Sequence, residues 1–333
     1  MNALRPLLDQ LGIGEHHAGR VFGGLHRRGL ALADIPDLGR HAATLAGVSW
    51  VPPVQVVDRH PSPEGSERLV FGLHDGARVE GVLLPSHYGD RATLCLSSQV
   101  GCAMACRFCA TGTLGLTRQL LAGEIVGQVH RARSLLADQG RRLTHLVFMG
   151  MGEPLHNAAA VGDALDVLLD AHGLPFAQRN VTVSTVGLLR PLRGLAERFG
   201  GKLQLALSLH AGTDATRRAI LPVARTVSLA QLKAALLAHP FPGQQKLMLE
   251  YVVLPGVNDT DEEVEGLAAF VEGLPAVVNL IPFNPFPGAP FRSPDADEIR
   301  SLWKRLKARG IPNTVRWPRG REAQGACGQL MLA

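Results

Sequence analysis

The chain has 333 residues, 46% of them hydrophobic, a formal net charge of +5 and a pI near 9.2. A chain of this length buries a large core and is expected to hold one big domain and a small one. No apolar run reaches the roughly 18 residues of a membrane helix, and the opening MNALRPLLDQLGIGEHH lacks the continuous apolar stretch of a signal peptide, so no membrane partner is expected and the cytoplasm is the expected compartment.

Residues 1–50 fall into short apolar-periodic segments, LRPLLDQLGI, HHAGRVFGGLHRRG and LGRHAATLAGV, and read as a small helical unit. Residues 51–90 change character: VPPVQVVDRH and RLVFGLHDGARVEGVLLP are rich in Val and Leu with Gly and Pro punctuation, as in hairpin strands, with HDGA as the turn. This region is expected to link the two larger parts. Over residues 91–333 strand-like and helix-like segments alternate. ATLCLSS, LTHLVFMG, NVTVST, LQLALSLH, LMLEYVVL and VVNLIPF are short apolar runs, each separated from the next by a helix-length segment. In AGEIVGQVHRARSLLAD, for example, Ile125, Val126, Val129, Ala132, Leu135 and Leu136 share one helical face. Apolar strands separated by helices predict a parallel sheet covered by helices, here a partial, open α/β barrel.

In such folds chemistry gathers at the C-terminal ends of the strands. The polar anomalies fall there: a cysteine loop after ATLCLSS, GMGEP (Gly150 to Pro154) after LVFM, Ser184-Thr185, Ser208-Leu209-His210, and Asn284-Pro285. Basic clusters are scattered over the chain as LHRRG, HRAR, GRR, TRR (Thr216 to Arg218) and RWPRGR, the last with Trp317 embedded. Taken singly each reads as solvated surface; taken together on a protein with an RNA substrate they read as phosphate contacts, with Trp317 as a stacking surface.

Four of the five cysteines lie within fifteen positions, in CLSSQVGCAMACRFC, and the fifth, Cys327, is close to the end. An odd number, unevenly spaced, argues against a disulfide framework and for metal or thiol chemistry. Cys102, Cys106 and Cys109 form a Cys-x3-Cys-x2-Cys run. A structural zinc wants four ligands, and the nearest downstream histidine, His130, falls inside the following helix. Three thiolates on a four-iron cluster leave one iron open to a substrate or cofactor.

The run CAMACRFC resembles the signature of the radical S-adenosylmethionine (radical SAM) enzymes. The segments LCLSSQVGCAMACRFCATG, VFMGMGEPLHN, VTVSTVGL, LALSLHA, IPFNPFPGAP and GACGQL together resemble the RlmN/Cfr family of RNA adenosine methyltransferases, from about residue 65 to 330, with a weaker echo in the N-terminal unit. The resemblance implies a partial α/β barrel of radical SAM type with a small helical accessory domain that helps bind RNA. It implies that Cys102, Cys106 and Cys109 ligate a [4Fe-4S] cluster. It implies that SAM is held by Gly152, Glu153, Ser184, Ser208, Leu209, His210 and Asn284, the Glu153 carboxylate accepting from the SAM amino group.

In the family one SAM methylates a cysteine, matched by Cys327, and a second SAM yields a radical that takes hydrogen from that methyl group, so two SAM molecules are used per methylation. Cys95 matches the thiol that resolves the resulting RNA adduct and ends in a disulfide with Cys327. Glu80, in RVEGV, matches the proton acceptor, subject to a shift of register, with a surface glutamate on a strand as the alternative. Substrate RNA (23S rRNA, with transfer RNA as a second candidate), a reducing partner such as flavodoxin, and a monomeric state are the partner expectations. The stretch TGTLGLTRQLLAGE departs from the C2-methylating branch toward the branch that methylates C8 of the same adenosine, so C2 is the preferred target and C8 the alternative. A reading of another class, an RNA-binding protein with a structural cluster, leaves Cys327 without a use.

Overall fold

The computed structural model describes residues 4–49, 51–86 and 89–331. At the N-terminus, helices α1 (Leu4–Gln10), α2 (Ala18–Phe22) and α3 (His41–Val48) close over a core of their own formed by Leu8, Ile13, Val21, Ile35, Leu38 and Leu45. The unit rests on the rest of the chain at two polar points. Arg27 donates to the Ala171 carbonyl, and the His26 ring stacks on that of His130 with centroids 6.0 Å apart.

Next come β1 (Gln55–Pro61), β2 (Glu67–Gly72) and β3 (Arg78–Pro85), paired antiparallel in sequence order. The β2–β3 turn falls at HDGA, where Leu73 N–H donates to the Ala77 carbonyl at 2.9 Å and Gly76 takes φ +84°, a left-handed conformation that favours glycine. β4 (Arg91–Cys95) pairs antiparallel with β3 on one side and parallel with β7 (Arg142–Phe148) on the other. From there β8 (Val181–Thr185), β9 (Gln204–Ser208), β10 (Leu247–Val253), β11 (Ala276–Pro282) and β12 (Asn313–Val315) add in chain order, every pair parallel. β5 (Gln99–Gly101) and β6 (Leu116–Gln119) form a separate ribbon around the cysteine loop.

A parallel order that never reverses puts its crossover helices on one side and leaves the other face to curl on itself. The result is an open parallel α/β barrel whose antiparallel hairpin, β1–β3, continues the same ten-stranded sheet. The helices between parallel strands include α5 (Ala122–Asp138), α6 (Ala158–Leu169), α7 (Leu189–Phe199), α9 (Leu229–Leu237), α10 (Asp261–Val271) and α11 (Ala296–Ala308), with α4 (Ala110–Thr113) and α8 (Asp214–Ile220) as short turns at the mouth. On α5 the buried apolar residues are Ile125, Val126, Val129, Ala132 and Leu136, and Leu135 is half-buried at the edge of the same stripe. The strands alternate with these helices over one continuous core that runs from Leu69 on β2 to Leu306 on α11. Among the described residues no helix is long and apolar enough to cross a membrane.

Candidate active site

β4 ends at Cys95, and Leu96, Ser97 and Ser98 carry the chain over the sheet end into β5 and the cysteine loop. The loop closes only because glycines stand at two contacts. Gly101 has φ +77°, and a Cβ there would lie 2.0 Å from the Gly115 carbonyl oxygen; one on Gly112 would lie 2.8 Å from that of Cys106. Cys102 N–H donates to the Gly115 carbonyl at 2.7 Å, and Cys109 N–H to that of Cys106 at 3.1 Å. The far side of the loop is tied to the barrel: Arg107 N–H donates to the Ile220 carbonyl at 3.0 Å, and the Phe108 ring meets the His210 ring edge-on at 4.5 Å.

Cys102, Cys106 and Cys109 line one cavity at the barrel mouth. Burial pushes the Cys102 thiol up to about 11, and neighbouring Cys109 and Glu153 add to it. Cys106 is raised well above the ordinary thiol range by burial and then by Cys109 and Cys102, and Cys109 is raised by burial too. Thiols crowded this way ionise when a polyvalent cation neutralises them. Three thiolates suit a four-iron cluster that keeps one iron open. Elsewhere, ligand atoms of His74, Asp75 and Glu124 lie within 4.8 Å of one another. There, Arg118 donates to Asp75 Oδ2 at 2.7 Å and to Glu124 Oε2 at 2.8 Å, so a cation already sits between the two carboxylates and the group fastens β6 to the hairpin turn.

The strand ends supply the rest of the same cavity: Gly152, Glu153, Ser184, Ser208, His210 and Asn284 line it together with Cys327. Gly152 has φ +101°, and a Cβ on it would strike the Gln99 side chain at 2.6 Å, so GMGEP lies flat against the start of the cysteine loop. Glu153 is buried; its Oε1 accepts from Leu155 N–H at 3.0 Å and its Oε2 from Val186 N–H at 2.9 Å. Burial still pushes its carboxyl up to about 7. A buried carboxylate held only by neutral donors is a fitting partner for a cationic amine. His210 has φ +60° and accepts from Val252 N–H at Nδ1, 3.0 Å away. Burial, then the Arg217 charge, lowers its imidazole to about 3, so it is neutral.

Leu209 and Glu80, both named from the sequence, are not in the lining of this cavity. Leu209 is fully buried in the core, its N–H donating to the Glu250 carbonyl at 3.1 Å. Glu80 is fully buried on β3, its carboxylate ion-paired with Arg68 and its Oε2 without a partner, and it lines neither this cavity nor the one beside it.

That second cavity shares a wall with the first. Cys109, Asn284, Arg316 and Cys327 line both, while Cys95, Trp317 and Arg319 line the second alone. All five cysteines are free thiols in this structure, Cys95 buried and Cys327 exposed. Burial raises the Cys95 thiol to about 12, with the Cys327 charge adding to this and Arg316 opposing it.

The Cys327 segment is pinned on each side. Asn284 Nδ2 donates to the Cys327 carbonyl at 3.0 Å and Asn284 Oδ1 accepts from Arg321. Ala110 N–H donates to the Gly328 carbonyl at 2.7 Å, and Thr111 Oγ1 to that of Leu330 at 2.6 Å. From the hairpin, Arg68 Nε donates to the Ala323 carbonyl at 2.7 Å, and the Glu64 carboxylate accepts from Gly320 N–H.

Some site residues escape a reading of strand ends. Glu250 lies inside β10, level with Ser208 on β9 and Asn279 on β11, and Asn279 is level with Thr314 on β12. Asn279 Nδ2 donates to Glu250 Oε2 at 2.8 Å, and Thr314 Oγ1 to Asn279 Oδ1 at 3.1 Å. The signal was present, because an acid in LMLEYVVL and an amide in VVNLIPF interrupt apolar strands. The basic clusters need correcting in part. Arg217, in TRR, is fully buried and donates to the carbonyls of Val186 and Leu209, so it is no phosphate contact. Arg316, in RWPRGR, faces the two cavities and not the outer surface. Arg142, in GRR, remains exposed but is paired with Asp90.

The comparisons with known proteins agree with this geometry. The family model described as the radical SAM superfamily matches residues 96–271, more than half of the chain. The chain is 42% identical to a dual-specificity RNA methyltransferase RlmN of an Anaeromyxobacter species over 99% of this chain and 88% of that protein. It is 38% identical to the protein of the same name from Caulobacter vibrioides, over 97% of this chain and 82% of the other. A crystal structure of a radical SAM methyltransferase from Sphaerobacter thermophilus superposes with a TM-score of 0.89 at 39% identity, covering 98% of this chain and 96% of that one. The chain belongs to the radical SAM superfamily and, within it, to the RlmN-like family of RNA methyltransferases.

Proposed function

We propose that this protein methylates C2 of an adenosine in 23S rRNA, with transfer RNA as a second substrate, by way of a methyl group carried on Cys327. One observation carries the reading: Cys327 lies on the wall shared by a cavity lined with the three cluster cysteines and a cavity lined with Cys95. A thiol placed there can accept a group on one side and deliver it on the other.

Bound at Cys102, Cys106 and Cys109, a [4Fe-4S] cluster with SAM, two molecules per methylation, supplies the methyl group and the radical chemistry that an unactivated adenine carbon requires. The chain supplies placement. Glu153 holds the SAM amino group, and Gly152, Ser184, Ser208 and neutral His210 complete the bed. Once the base is joined to the carbon on Cys327, the Cys95 sulfur attacks the Cys327 sulfur. The sulfur–carbon bond breaks with its electron pair left on carbon, which takes up a proton in place of the one the Cys95 thiol gives up and so becomes the methyl group, and the disulfide that forms takes two electrons from a reductant such as flavodoxin, with two protons. The helical unit of residues 1–50 contributes RNA binding to a cytoplasmic, monomeric enzyme.

Digestion of RNA treated with cluster-loaded enzyme and SAM, followed by mass spectrometry of the nucleosides, tests this. The product expected is 2-methyladenosine. Finding 8-methyladenosine would move the target carbon, and RNA bound without any methylated product would leave only a binding protein with a structural cluster.

A further inference from the structure

Trp317 is a large apolar side chain held out in the open. Its relative exposure is 57%, unlike the cavity-lining aromatics Phe148 and Phe283, which are buried. It is nevertheless no stray surface residue, because it lines the cavity whose inner wall carries Cys95 and Cys327. The chain just past β12 is held on both sides of Trp317: Arg316 N–H donates to the Leu280 carbonyl at 2.8 Å, and three residues further on the Arg319 side chain donates through Nη2 to the Pro85 carbonyl at 2.9 Å. The indole is therefore presented on rigid backbone, at the lip, with the thiols below.

The chemistry of the wall selects the occupant. Its charged residues, Arg316 and Arg319, are both cations, and none of its residues is acidic. Between them lie apolar surfaces from Val82, Leu84 and Ile281. A flat aromatic at the mouth, cations in the wall and apolar surfaces between fit an unstacked base on an anionic backbone. They fit a wholly apolar partner poorly, since that would leave the cations unpaired.

We propose that Trp317 is a positioning residue for RNA, its indole stacking on the nucleobase that enters the Cys95–Cys327 cavity from a single-stranded segment. The proposal rests on the reading of the protein as an RNA methyltransferase and adds the residue that grips the base. Stacking tolerates any base identity, so discrimination is left to the groups deeper in the cavity.

The probe is an RNA hairpin whose single-stranded loop carries 2-aminopurine, compared with the same hairpin carrying an abasic residue there. With the full-length protein, binding should quench the 2-aminopurine fluorescence. Trp317→Ala should weaken binding of this hairpin by roughly 5- to 150-fold, the usual range for loss of one base–aromatic stack, and Trp317→Phe should restore most of it. The abasic hairpin should bind the wild-type protein more weakly and be indifferent to Trp317→Ala. In turnover the loss should fall on KM, with kcat changed less than about twofold.

Equal binding of the 2-aminopurine hairpin by wild type and Trp317→Ala would overturn the proposal, as would an equal loss on the abasic hairpin. So would a change in sedimentation on Trp317→Ala with RNA affinity unchanged, which would mean that the indole is covered by a second copy of the chain. If the wild-type protein bound neither hairpin, the RNA reading itself would fail along with this proposal, an outcome distinct from the other three.

Discussion

Arg217 carries its guanidinium to a place that water does not reach. Its Nη2 donates to the Val186 carbonyl at 2.7 Å and its Nε to the Leu209 carbonyl at 3.2 Å, and burial brings its pKa down to about 10. The acceptors sit just past the ends of β8 and β9, so one side chain sets the spacing of the strand ends that carry Ser184 and Ser208. Arg217→Met is expected to destabilise the fold by on the order of 3 kcal/mol, because it leaves buried carbonyls without donors. Chemical denaturation of the variant measures this, and a change below about 0.5 kcal/mol would show that the carbonyls find other partners. Arg217 also marks a limit of sequence reading. In DATRRAI the helix periodicity gives no sign that the first arginine turns inward, since an arginine is ordinarily a solvent residue and only the packing of two strand ends against this helix makes it a buried clamp.

At the scale of elements the legible parts are those whose apolar period is long enough to speak. The parallel strands β4, β7, β8, β9, β10 and β11 fall at the six apolar runs, α5 at its stripe and the hairpin turn at HDGA. β5, β6 and β12 are three or four residues long and contain Gln99, Arg118 or Asn313. Their pairing comes from the cysteine loop they frame and from the neighbouring strand, not from any pattern of their own. The cavity residues divide in the same way. Those at strand ends are legible as polar interruptions, whereas the two-sided position of Cys327 needs the C-terminal segment folded back across the barrel.

The contact between the helical unit and α5 is a second product of tertiary packing, and it makes a prediction about acid. Burial lowers both His26 and His130 to about 4 from their usual 6.5, so the folded state holds both rings neutral. A histidine whose pKa is lowered on folding leaves stability intact above its unfolded value and withdraws it as pH falls toward the folded value. Docking of residues 4–48 should thus be pH-independent above about 6.5 and should weaken between about 6.5 and 4. Hydrogen exchange of α2 amides across this window checks it, and His130→Phe should flatten the dependence. Exchange that does not respond to pH in the wild-type protein, once corrected for intrinsic rates, would rule the mechanism out.

Across the whole molecule the sheet joins distant sequence. The hairpin β1–β3 reaches from the edge of the barrel to the Cys327 segment through Arg68, which donates both to the Ala323 carbonyl and to the buried carboxylate of Glu80. Removing that cation strands Glu80 as a buried charge, so Arg68→Ala should cost about 3–5 kcal/mol. Arg68→Met combined with Glu80→Gln should recover much of the loss, a coupling that a double-mutant cycle reads directly. The rate of alkylation at Cys327 should rise in Arg68→Ala as its segment loosens, and an unchanged rate would show that Asn284, Ala110 and Thr111 suffice to hold it.

Those anchors have a kinetic corollary. With the backbone fastened at the Cys327 carbonyl and at Gly328, a side chain that lines both cavities can turn from one toward the other by rotation about its own bonds, without a loop displacement. Rotamer hops of an exposed side chain take picoseconds to nanoseconds, against microseconds or longer for moving a segment. In the cycle proposed above, that turn is therefore expected to be fast, which leaves chemistry, the entry and exit of RNA, or re-reduction of the thiols as the slow steps.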